Sequence, residues 1–65
     1  MPSQRDIREI NDKILIAEQR AAEQKELIAL LEGEGSSTES ARELLVIYES
    51  SLSLFISRRN LLLRD

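Results

Sequence analysis

The chain has 65 residues, 32% of them charged, with a formal net charge of −3 and neither histidine nor cysteine. A disulfide framework is therefore excluded and both preferred ligand types of a structural zinc site are missing, as are the commonest nucleophile and base pairs of enzymes. The charge is also opposite in sign to the basic footprint of a general nucleic-acid binder.

A domain this small buries only about 60% of the surface its unfolded chain exposes. With disulfides and metal set aside, self-association is the remaining way to supplement its core. Met1-Pro2-Ser3 runs straight into charged residues, without the basic and apolar regions of a secretory signal. The most apolar run, residues 44–56, is interrupted by Glu49, Ser50, Ser51 and Ser53 and is shorter than the ~20 residues a membrane span requires. The expectation is a cytoplasmic, non-enzymatic protein with no transmembrane helix, cofactor, metal or small-molecule substrate.

The first element is predicted as a helix over residues 4–34. Ser3 is the candidate N-cap, and Asp6 suits the positive end of the helix dipole. From Ile7, positions 7, 10, 14, 17, 21, 24, 28 and 31 advance by alternating steps of three and four, and they read Ile, Ile, Ile, Ala, Ala, Gln, Ile, Leu. Ala17, Ala21 and Gln24 make the middle of this seam small and polar, leaving room for bulky side chains from a facing helix. Leu15, Ile16, Ala22, Leu27, Ala29 and Leu30 lie off the seam, so the apolar arc is wider than one helix contact needs. Glu9, Lys13, Glu18, Arg20, Glu23, Lys25 and Glu26 form a solvated face, with Glu9 and Lys13 at the favourable i,i+4 spacing.

The next stretch, Gly33-Glu34-Gly35-Ser36-Ser37-Thr38, predicts a turn over residues 35–38. Gly35 is expected just past the first helix because glycine accepts positive φ, with Gly33 as the alternative. Ser36, Ser37 and Thr38 are all competent N-caps for the second helix, and Ser36 with Glu39 has capping-box spacing. The glycines do not form a phosphate cradle: the P-loop pattern and a preceding strand are both absent, and acidic residues flank them.

The second helix is predicted over residues 39–63. Positions 41, 45, 48, 52, 55, 59 and 62 form one stripe (Ala41, Leu45, Tyr48, Leu52, Phe55, Arg59, Leu62), and 44, 47, 51, 54, 58 and 61 form a parallel one. Val46, Ile56 and Leu63 add apolar surface elsewhere, the pattern of a helix covered on more than one side. If the two segments fold back on each other, facing residue numbers add up to about 73. Ala17 then meets Phe55, Ala21 meets Leu52, and Gln24 meets Tyr48 as a polar pair. Small opposes large, as close packing requires. A Phe55→Ala change costs ~3–5 kcal/mol if that ring is buried. Charge is polarised along the hairpin, with basic residues gathered near the termini and Glu near the hinge; dipole compensation and solubility account for it.

The segment from Leu31 to Leu45, with L-E-x-x-G closing one helix, T-x-x-A opening the next and then a paired Leu, resembles the centre of short, uncharacterised alphaproteobacterial proteins. The resemblance implies a capped helical hairpin and brings no activity with it. The S-Q-E-L-D motif of the small hairpins that inhibit sporulation phosphorelays is absent, which sets that family aside.

The whole chain, residues 1–65, thus reads as one all-α domain, an antiparallel two-helix hairpin that dimerises into a four-helix bundle and serves as a protein-protein interaction or regulatory module. Ile14, Ile28, Leu31, Leu45, Ile47, Tyr48, Leu52, Phe55 and Leu62 are the candidate core or interface residues; Gly33, Gly35 and Thr38 are the turn residues. A second copy of the chain is the first-choice partner. A helix of a different protein is the alternative, and a membrane surface or nucleic acid ranks below both.

Overall fold

The computed structural model describes residues 3–64. It consists of two α-helices, α1 (Gln4–Gly33) and α2 (Glu39–Leu62), with no strand among the described residues. The helices are antiparallel: Glu32 meets Arg42 beside the hinge, and Asn11 meets Arg59 toward the other end. Each helix stops one residue earlier than the spacing predicted.

Ser3 starts α1 through a full capping box. Its hydroxyl oxygen accepts from the Asp6 amide at 3.2 Å, and its own amide donates to the Asp6 carboxylate at 3.2 Å. Two of the amides that no helical carbonyl can reach are thereby satisfied. At the other end the Gly35 amide donates to the Glu32 carbonyl and the Ser36 amide to the Leu31 carbonyl, the paired bonds of a Schellman turn. Gly35 has φ +73°, so the left-handed residue falls where the sequence placed it. Gly33 is instead the last residue of α1.

These two glycines should respond in opposite ways to alanine. Gly33→Ala adds a Cβ into open space at a helical position and is expected to stabilise the fold by ~0.5–1 kcal/mol. Gly35→Ala also meets no atom, but its positive φ should cost ~1–2 kcal/mol. Thermal melting of the two variants checks both signs.

The beginning of α2 corrects one expectation. Thr38 holds the N-cap position without a side-chain cap, and the Ser36–Glu39 capping box does not form. The Schellman turn takes the Ser36 amide, and Glu39 becomes the first helical residue rather than the third. The Thr38 hydroxyl oxygen accepts from Arg42 Nε at 2.9 Å, while Arg42 also reaches the Glu32 carboxylate at 3.1 Å. Both members of that ion pair are more than half exposed, so its contribution is at most ~1 kcal/mol.

The core follows the seam of α1. Ile10, Ile14, Ala17, Ala21, Gln24 and Ile28 are buried, with Ile14 only 5% exposed, and Ile7 and Leu31 at its two ends are half-buried. From α2, Ala41 is buried, and Leu45, Tyr48, Leu52, Phe55, Arg59 and Leu62 are half-buried along the facing stripe. The half-burial of Phe55 means that one hairpin does not supply the full cost expected for removing a buried ring.

Two polar pairings also differ from the sequence expectation. Gln24 donates from Nε2 to the Ala41 carbonyl at 2.9 Å, two turns closer to the hinge than Tyr48. Glu9 pairs with Arg5 at 3.4 Å rather than with Lys13, whose side chain borders the groove beside Phe55.

The resulting molecule measures 51 × 14 × 12 Å, with a radius of gyration of 15.1 Å. A globular chain of this length would have about 11 Å. Its accessible surface is 5093 Å², against ~4,200 Å² expected for a folded monomer of 7.4 kDa.

Candidate interaction face

The outward surface of α2 is built by helical periodicity. Leu44, Ile47, Leu54 and Leu61 recur at three- and seven-residue intervals, so they share one side of the helix, adjacent to the stripe packed on α1. All four are exposed: Ile47 and Leu54 by 57% and Leu61 by 63%. Ser51, half-buried, lies in the middle of this row, and the exposed Arg58 lies between Leu54 and Leu61.

A groove shows which flank of α1 continues this surface. It is lined by Lys13, Ile16, Ala17 and Arg20 from α1 and by Ile47, Tyr48, Ser51 and Phe55 from α2. Ile16 and the exposed Leu27, three turns further on, therefore extend the apolar face across both helices. Ala17 and Phe55 border the same groove, in keeping with the facing register read from the sequence. The opposite flank carries a smaller, more polar depression formed by α2 alone, lined by Glu49, Leu52, Ser53, Ile56 and Ser57.

Among the candidate residues, Ile14 and Ile28 belong to the hairpin core. Leu31, Leu45, Tyr48, Leu52, Phe55 and Leu62 are half-buried at its edge. Ile47 stands apart on the exposed face. Spacing gave two parallel stripes on α2, and the facing register set the one with Tyr48 and Phe55 against α1, where the structure half-buries it. Arg42 was the hinge contact that sequence reasoning missed; α1 has no basic residue in its last turn, and this guanidinium from α2 supplies the nearby positive charge.

The basic end of the hairpin is partly engaged internally. Arg5 pairs with Glu9, and Arg59 donates to the Asn11 side-chain oxygen at 3.2 Å. Among the described residues no helix is long and apolar enough to cross a membrane, and no cluster of three or more acidic side chains is placed to hold a metal ion. Comparison with protein-family models, curated proteins and solved structures gave no match.

Proposed function

We propose that this chain is a protein-protein interaction or regulatory module that acts by contact rather than catalysis, and that a second copy completes its hairpin as a four-helix bundle. The observation that carries this reading is surface area. One hairpin exposes roughly 900 Å² more than a folded chain of its mass should. Standard interfaces remove about 800 Å² from each partner, so one pairing brings the chain back to ordinary compactness.

Among the described residues, six of the ten exposed large apolar side chains lie where one pairing can cover them, while Leu15, Leu30, Val46 and Leu63 lie elsewhere. Ile16, Leu27, Leu44, Ile47, Leu54 and Leu61 are all exposed and lie on one flank. Burying apolar surface at ~25 cal/mol per Å² is the principal driving force available to such a face. Light scattering at micromolar concentration is the test. A mass of two chains supports the reading; a well-folded monomer contradicts it.

A further inference from the structure

Resting on that self-associating reading, we propose that the two copies pack head to tail, through antiparallel contact of their α2 stripes about a two-fold axis between Ser51 and Leu54. Charge distribution selects this orientation. Residues 18–50, the hinge half, hold eight Glu against three Arg or Lys, a net charge of −5. The remaining residues hold six Arg or Lys against four Asp or Glu, a net charge of +2. Side-by-side packing would set one acidic hinge against the other along the full interface. Head-to-tail packing sets each acidic half against a basic one, and complementary potentials of this kind fix orientation.

The stripe is also self-complementary in that direction. With facing numbers adding up to about 105, Leu44 meets the partner's Leu61, Ile47 meets the stem of the partner's Arg58, and Ser51 meets the partner's Leu54. The small Ser51 gives Leu54 room at the axis, as interdigitated packing requires. Glu43, on the rim of the stripe, comes within a turn of the partner's Arg58. Among the described residues neither Glu43 nor Arg58 has an ion-pair partner within the hairpin.

The absence of cysteine makes a direct test available. Ser51→Cys and Ser40→Cys variants, each with helicity checked by circular dichroism, are treated with a bis-maleimide of about 8 Å reach, close to the spacing of packed helix axes. Ser51 lies near the proposed axis and should cross-link. The two copies of Ser40 are placed ~37 Å apart and should not. Cross-linking at both positions indicates side-by-side packing, and cross-linking at neither position in a dimeric sample indicates another interface. Either result overturns the orientation while leaving self-association intact. A monomeric mass overturns both.

Charge exchange provides a second arm. Glu43→Arg and Arg58→Glu should each raise the dimer dissociation constant at least about tenfold, and combining them should restore it. The two positions lie ~22 Å apart along α2, so restoration can arise only between copies. Failure of the double variant to recover contradicts the head-to-tail arrangement.

Discussion

Leu54→Asp is expected to convert the protein to a monomer at concentrations where the parent chain is a dimer, raising the dissociation constant by about 100-fold or more. Leu54 is 57% exposed in the hairpin, so an aspartate there remains hydrated in a single chain. The local cost is confined to helix propensity, roughly 0.5 kcal/mol. Pairing would change this by placing a carboxylate from each copy in an apolar contact near the axis. An uncompensated buried charge costs ~3–5 kcal/mol, enough to eliminate most of the association energy of a face this size. Helicity should fall with mass, because long helices covered on one side are marginal in water. Leu15→Asp is the matched control: Leu15 is 55% exposed but points away from the groove, and its variant should retain the parent's mass.

The second large effect lies inside the hairpin. Gln24 is 8% exposed and donates its side-chain amide to the Ala41 carbonyl. Gln24→Glu preserves the shape but, when ionised, turns an acceptor toward an acceptor in a desolvated place. The expected loss is ~3 kcal/mol at pH 7. Burial and the facing carbonyl both raise the folded-state pKa of the introduced carboxyl above its unfolded value of about 4.3. Below the unfolded value the group is protonated in both states and can donate to Ala41, so the penalty is absent. Between the unfolded and folded values the unfolded chain loses its proton first, and stability falls as pH rises. The variant should therefore approach the parent's stability near pH 4 and fall furthest behind at neutral pH. Gln24→Leu should stay within ~1 kcal/mol of the parent, because the Ala41 carbonyl still has its own helical amide partner. Chemical denaturation at the two pH values checks all three outcomes.

Most of the hairpin was legible because the governing physics is periodic. The alternating steps from Ile7 to Leu31 could not fit a strand, and six of those eight positions are buried. Gly35 was legible because a residue at positive φ is rarely anything else at a helix end. The start of α2 was harder, since Ser36, Ser37 and Thr38 have nearly equal capping ability and the choice depended on hydrogen bonds already used by α1.

Gln24 shows a different limit. Reading facing side chains suggested Tyr48, but the partner is a backbone carbonyl, which every residue possesses and no sequence pattern marks. The exposed apolar face was visible as an excess of apolar residues, including Ile47 and Leu54. Its location became clear only when the groove placed Ile16 of α1 and Ile47 of α2 on the same side. The facing register had set the stripe with Tyr48 and Phe55 against α1; how far the neighbouring stripe stays exposed depends on three-dimensional packing, which leaves Ile47 and Leu54 uncovered.

Whether one hairpin is half of the working structure is decided most directly by its mass in solution, measured by light scattering across a dilution series from about 100 to 1 μM, within the range where small helical assemblies of moderate affinity dissociate. Completion by a second copy requires a mass near 15 kDa at the upper end, twice the 7.4 kDa of one chain, decreasing on dilution together with helicity. A constant mass of 7.4 kDa with full helicity at every concentration would contradict it.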